Sequence, residues 1–86
     1  MSSGPITLDL LGIGERIRGL RGARTQAEFA DQLGSSRMSV VRYEAGSRSP
    51  DVDFLANLCA TTGANPMWVL TGDGDRPAPA APQGSR

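Results

Sequence analysis

Arginine is the residue type in this sequence that could do the most chemistry, because the chain contains neither lysine nor histidine. Seven of the nine arginines lie within residues 14–48, where four acids accompany them, so this stretch carries a local charge of +3 in a neutral chain. A guanidinium presents a planar pair of donors that suits a phosphate or the edge of a guanine. An arginine bias of GC-rich coding DNA would also explain the missing lysines. The charge pattern is therefore compatible with a polyanionic partner without requiring one.

The remaining reactive residue types are too few for catalysis or metal binding. Cys59 is the single cysteine, so an intramolecular disulfide is excluded, and without histidine no zinc ligand set and no Ser–His or Cys–His nucleophile can form. We interpret Cys59 as a small buried hydrophobe. Glu28 and Asp31 are interpreted as a capping residue and a solvated neighbour, not as an acid–base pair. The sequence therefore predicts neither an enzyme nor a bound metal or cofactor.

Length and hydropathy limit the chain to one small domain. With 86 residues, 38% of them hydrophobic and 5% aromatic, it can build one modest core. The apolar runs are much shorter than the ~20 residues of a membrane span, and the N-terminus does not resemble a secretory signal. We therefore expect a cytoplasmic location and no membrane partner.

The two ends differ in composition from the middle of the chain. We expect a flexible arm over residues 1–7, a folded domain over residues 8–74, and a disordered Pro/Ala-rich tail or linker over residues 75–86, which has no large apolar side chain. Leu8, Leu10 and Leu11 could cover part of the core or a partner, and we prefer the core.

Apolar spacings of three and four recur between these ends, which predicts an all-α domain. Ile13, Ile17 and Leu20 share one stripe of a first helix over about residues 13–23. Thr25 and Glu28 form a capping box that opens a short second helix. The remaining predicted helices run from Ser36 to about Gly46, from Asp51 to Gly63 with Val52, Leu55, Leu58 and Cys59 facing inward, and from Asn65-Pro66 to Gly72.

The junction of the second and third helices is the most informative feature. Ala30 is small enough for the next helix to cross closely, and Gly34 can adopt the left-handed conformation of a tight turn. Val40 follows six residues later and would fix the pair from inside. This spacing is typical of a helix-turn-helix, although other compact helical hairpins share part of it.

The sequence resembles the Cro and lambda-type phage repressor family of helix-turn-helix domains from about Ile13 to Gly72. The resemblance implies a compact five-helix DNA-binding domain. The matching stretches are residues 13–18 (IGERIR), 25–30 (TQAEFA), 33–36 (LGSS), 42–50 (RYEAGSRSP) and 65–72 (NPMWVLTG).

The resemblance also implies roles for individual residues. Outward residues of the third helix read base edges in the major groove, and these correspond to Arg37, Met38, Val41 and Arg42. Residues at the flanking helix ends meet phosphates, and these correspond to Thr25, Gln26, Ser36, Ser47 and Arg48. Arg21 and Glu44 match a structural pair that connects the first and third helices.

The sequence therefore predicts a sequence-specific DNA-binding transcriptional regulator, a repressor of the phage type. Because one such module buries little DNA surface, we expect a homodimer on a pseudopalindromic operator of double-stranded DNA. The alternative is an antitoxin-like module that neutralises a protein partner and can also bind DNA. For that module, Phe54, Met67 and the leucines at positions 8–11 would be the exposed apolar contacts, and Trp68 is assigned to the core or an interface.

Overall fold

Five α-helices form the part of the chain that the computed structural model describes, residues 7–74, and no strand occurs there. The prediction of an all-α, five-helix fold is confirmed. Residues 1–6 of the expected arm and the expected tail at 75–86 lie outside the described residues. The helices are α1 (Leu10–Arg21), α2 (Gln26–Gln32), α3 (Arg37–Ala45), α4 (Val52–Thr62) and α5 (Pro66–Thr71).

Side-chain caps fix the starts of four helices. Thr25 accepts the amide of Glu28 and completes the predicted capping box of α2. The side chains that accept amides at the starts of α3, α4 and α5 belong to Ser36, Asp51 and Asn65. Each such bond satisfies an amide that would otherwise have no partner in the first turn. The four predicted starts are therefore confirmed.

The boundaries of α1 differ from the prediction of residues 13–23. The helix begins three residues earlier, at Leu10, and ends at Arg21, because Gly22 turns to a positive φ of 63°. The Arg24 side chain then donates to the carbonyl oxygens of Leu20 and Arg21 at 2.7 and 2.9 Å. These bonds satisfy the last carbonyls of α1 in place of a further helical turn.

The core lies between the inner faces of all five helices. Ile13, Ile17, Phe29, Val40 and Leu58 are fully buried, and Leu10, Leu55, Cys59 and Trp68 pack partly buried around them. Burial raises the pKa of the Cys59 thiol.

Two assignments within α4 are wrong. Val52 was expected inside but is 80% exposed, and Phe54 was expected on an exposed partner surface but is 4% exposed. The Phe54 ring lies 4.5 Å from the Tyr43 ring, centroid to centroid. The inner stripe of α4 therefore runs through Phe54 and Leu58, and the first residue of the helix faces away from it.

The leucines before the first core residue divide between inside and outside. Leu10 packs against the core, as preferred, whereas Leu8 and Leu11 remain 42% and 66% exposed. Met67 of α5 is also exposed, at 52%. Within residues 7–74, no helix is both long and apolar enough to cross a membrane.

Close contacts of α1 hold the domain together around α3. The backbone of Leu11 lies against Gly46, where a Cβ would stand 3.1 Å from the Leu11 Cα. Gly46 itself ends α3 in the left-handed conformation, with a φ of 75°. On the other side of α1, Arg16 Nε donates to the Val69 carbonyl of α5 at 2.8 Å. Helix α1 therefore connects α3 and α5.

Candidate nucleic-acid interface

A tight turn connects α2 to α3. Gly34 has a φ of 64°, so it supplies the predicted left-handed residue, and the Ser35 amide donates to the Ala30 carbonyl at 2.8 Å. Ala30 and Val40 are both buried between the helices. The two helices therefore form a rigid unit with the geometry of a helix-turn-helix.

The outer face of α3 carries two arginines with available donors. Arg37 and Arg42 are exposed, and within residues 7–74 neither side chain forms an ion pair or a hydrogen bond with another protein group. Met38 is 48% exposed on the same helix, and Val41 is half-buried. Val40 and Tyr43 point into the core, so Arg37, Met38, Val41 and Arg42 lie on other faces of α3.

Three other arginines are engaged within the protein. Arg16 bonds to α5, as described above. Arg24 donates to two backbone carbonyls and to Gln32 Oε1, and its guanidinium lies 4.8 Å from the Phe29 ring centroid. Arg21 pairs with Glu44. The donors available in the basic stretch therefore belong to Arg18, Arg37, Arg42 and Arg48, which are all exposed.

Glu44 lies at the centre of a polar cluster that joins three helices. Its Oε2 accepts Arg21 Nε at 2.7 Å, and its Oε1 accepts both Arg21 Nη2 and Gln26 Nε2 at 3.1 Å. The Glu44 side chain is 5% exposed and that of Arg21 is 16% exposed. The bonds to Glu44 raise the pKa of the Arg21 guanidinium above its usual value. The structure thus brings together the sequence-predicted residues 21, 26 and 44.

The three hydroxyl residues proposed to meet phosphates are also bonded within the protein. Thr25 Oγ1 accepts an amide and keeps its hydroxyl hydrogen, whereas Ser36 Oγ bonds to Ser39 Oγ at 3.0 Å in addition to capping α3. Ser47 Oγ donates to the Arg42 carbonyl at 3.2 Å. Among these three, Thr25 is the one whose hydroxyl hydrogen forms no bond with residues 7–74.

Arg48 is exposed in the segment between α3 and α4.

Residues 7–74 include no group of three or more histidine, cysteine, aspartate or glutamate side chains that could hold a metal ion.

Sequence reasoning did not identify three contacts of this region. These are the bond from Gln26 to Glu44, the bond from Arg16 to Val69, and the placement of Arg24 over Phe29. The first two depend on how helices distant in sequence pack, so no local pattern could have revealed them. The Arg24 contact joins neighbouring residues, and its five-residue spacing from Phe29 was the one available signal.

The family of the chain follows from comparison with known proteins. A model described as a helix-turn-helix domain matches residues 13–67, more than half of the sequence, and the chain belongs to this family. A search of curated proteins finds no significant match.

Two solved structures are similar to the whole fold. One is the P22 c2 repressor protein in complex with synthetic operator 9T, at 28% identity and a TM-score of 0.67, covering 71% of this chain and 96% of that one. The other is the restriction-modification controller protein C.AhdI from Aeromonas hydrophila, at 28% identity and a TM-score of 0.64, covering 72% and 97%. The fold is therefore that of the lambda-repressor-like helix-turn-helix proteins.

Proposed function

We propose that this protein is a sequence-specific DNA-binding transcriptional regulator that places α3 in the major groove. The observation that carries the proposal is the pair of exposed, unengaged arginines, Arg37 and Arg42, on the outer face of α3. Three arginines of the basic stretch form bonds within the protein, and of the four that remain available only Arg37 and Arg42 lie on α3.

Base reading on this proposal uses four side chains of one helix face. Arg37 and Arg42 can each direct two donors to guanine O6 and N7, and Met38 or Val41 can pack against a thymine methyl. Because the opposite face of α3 is buried, the helix has a fixed rotation about its axis. A fixed rotation is what allows each side chain to meet a defined base pair.

Phosphate contacts on this proposal flank the reading helix. Gln26 and Thr25 lie at the start of α2, before the reading helix in the chain, and Arg48 follows that helix. Ser36 and Ser47 are assigned weaker contacts, since their hydroxyl groups already bond within the protein. Such contacts orient the protein on DNA without reading sequence.

We further propose that two copies bind a pseudopalindromic operator and repress transcription by excluding polymerase. One small helix-turn-helix domain buries too little DNA surface for tight and specific binding, and a pair spaced by one helical turn overcomes this limit. The similarity to the P22 c2 repressor, whose structure contains a synthetic operator, supports this assignment.

Footprinting on the DNA upstream of the protein's own gene tests the proposal. We expect protection of two half-sites related by a dyad, about one helical turn apart. The control is a fragment of equal length and base composition taken from inside the gene. Equal protection of both fragments, or of neither, would contradict sequence-specific regulation.

A second function, neutralisation of a partner protein, is favoured by the exposure of Leu11 and Met67. Phe54, also considered for that surface, is buried and does not contribute. Changing Leu11 and Met67 together to serine should leave DNA binding intact but abolish neutralisation of the toxic product of an adjacent gene. Retained neutralisation would exclude these side chains from such a surface.

A further inference from the structure

The Gln26 side chain, assigned above to a DNA phosphate, already donates one hydrogen bond within the protein. Its Nε2 lies 3.1 Å from Glu44 Oε1. We infer that Glu44 is a positioning residue for DNA binding, which holds the Gln26 amide so that its second N–H is directed to a phosphate. This inference rests on the proposed function and adds a residue whose contact with DNA is indirect.

The carboxylate of Glu44 is itself held firmly. Arg21 donates to both of its oxygens, and Arg21 Nη1 donates in addition to the Arg24 carbonyl at 2.7 Å. With both oxygens bonded and the side chain almost completely buried, the carboxylate has one orientation. The acceptor for Gln26 is therefore in place before DNA binds.

A carboxylate acceptor determines which way the Gln26 amide faces. The amide nitrogen must point to Glu44, since the amide oxygen would be repelled by the carboxylate. The nitrogen carries two hydrogens, and Glu44 Oε1 uses one of them. The second remains available, and its direction is fixed because the amide is planar. An exposed glutamine without this bond would lose rotamer freedom on meeting DNA, which weakens binding.

The charge of Glu44 does not oppose a phosphate at this position. Arg21, the last residue of α1, neutralises the carboxylate through two hydrogen bonds, so the cluster of residues 21, 26 and 44 has no net charge. A lone carboxylate near the DNA backbone would instead repel it. Arg21 thus makes it possible for an acid to organise a phosphate contact.

A double-mutant cycle in DNA affinity tests the inference. Gln26→Ala, Glu44→Ala and the double variant are titrated with a short duplex of mixed sequence at low salt, at a temperature where circular dichroism shows each to be folded. We expect Gln26→Ala to weaken binding by about two- to tenfold, the effect of one hydrogen bond. Glu44→Ala also leaves Arg21 with an uncompensated charge that attracts DNA, so the diagnostic quantity is the effect of Gln26→Ala with and without Glu44. The double variant should bind within about twofold of the Glu44→Ala variant, because both changes remove the same contact.

The matched control is Gln32→Ala, at the other end of α2, where the side chain accepts a bond from Arg24. This variant should keep the affinity of the unaltered chain. If the effects of Gln26→Ala and Glu44→Ala multiply, Glu44 acts independently of Gln26 and the inference is wrong. If Gln26→Ala binds as tightly as the unaltered chain, the inference is overturned while the proposed function stands. Failure of the unaltered chain to bind any duplex overturns both.

Side-chain amide resonances give a second measurement on the unaltered chain, in case Glu44→Ala does not fold. In the ¹⁵N spectrum, the two Gln26 Nε2 protons should differ strongly in shift, because one bonds to a carboxylate. Adding the same duplex should move the other proton and leave both Gln32 protons in place. Unchanged Gln26 resonances at saturating duplex would overturn the inference.

Discussion

Gly14 of α1 lies in direct contact with the backbone of Tyr43 near the end of α3. A Cβ at position 14 would stand 2.7 Å from the Tyr43 carbonyl oxygen and would also collide with the carbonyl of Glu44. Backbone carbonyls in the last turn of a packed helix cannot rotate away as a side chain can. The distance between α1 and the proposed reading helix is therefore set by the absence of a side chain at this one position.

Gly14→Ala should lower the free energy of unfolding by about 1–3 kcal/mol, because α1 and α3 must separate to admit the methyl group. Gly19→Ala on the same helix is the matched control, since no atom beyond the neighbouring backbone of α1 lies within 4 Å of the added Cβ. That change should instead stabilise the protein by about 0.5–1 kcal/mol. Urea denaturation of the two variants measures both effects, and equal stabilities would contradict the close α1–α3 contact.

Glu44→Ala should lower the free energy of unfolding by ~1–3 kcal/mol, because it leaves the half-buried Arg21 guanidinium without its carboxylate. Arg18→Ala removes an exposed arginine from α1, the helix that carries Arg21, and should change the free energy of unfolding by less than about 0.5 kcal/mol. Thermal unfolding of both variants provides the measurement. A Glu44→Ala variant as stable as the unaltered chain would show that the pair does not hold α1 to α3.

Arg42→Ala should reduce the preference for operator over random DNA by ~1–3 kcal/mol, or roughly five- to 150-fold, while circular dichroism remains unchanged. Arg37→Ala should do the same or, if it contacts a phosphate, weaken both DNAs equally. Competition titrations with the two duplexes distinguish these cases. Full operator preference in both variants would remove α3 as the reading helix and favour the protein-interaction hypothesis.

Arg48→Ala should make the salt dependence of binding shallower by about one unit in the slope of log affinity against log salt, because each neutralised phosphate contributes ~0.9. Sequence preference should not change. Arg24→Met removes a charge whose guanidinium is engaged within the protein, so its slope should change less. A binding constant that barely responds to salt would contradict contacts between the arginines and the DNA backbone.

A chain that ends at Gly74 should keep the thermal midpoint of the full sequence. All the core residues named above lie before this point, and Gly72 already closes α5 with its amide bonded to the Trp68 carbonyl at 2.8 Å. Differential scanning calorimetry of both lengths checks the expectation. A midpoint lower by more than a few degrees would show that residues 75–86 pack on the domain.

Local signals predicted most of the fold but not its exact faces. The caps at Thr25, Ser36, Asp51 and Asn65 are determined by neighbouring residues, and they marked four helix starts correctly. The faces of α4 could not be settled this way, since apolar residues occupy two overlapping stripes. Contact with Tyr43 selects the stripe that contains Phe54.

The candidate site shows the same division between local and distant information. The exposed residues of α3 followed from its periodicity and from the family resemblance. The bond between Gln26 and Glu44 joins residues 18 positions apart and depends on how α2 crosses α3. The spacing of residues along the chain does not predict how the two helices cross, so the contact between Glu44 and Gln26 could be identified only from the structure.

On the proposed function, the end of α3 at Gly46, against the backbone of Leu11, limits how many base pairs one copy of this protein can contact. Nine residues of helix extend about 13 Å, which matches only about four base pairs of groove. A given sequence of four base pairs recurs roughly once in 250 positions of random DNA, so one such helix cannot select a single site in a genome. A side chain at position 46 would collide with Leu11, and Gly46 ends the helix in the left-handed conformation. On the proposed function, additional selectivity must therefore come from contacts outside α3.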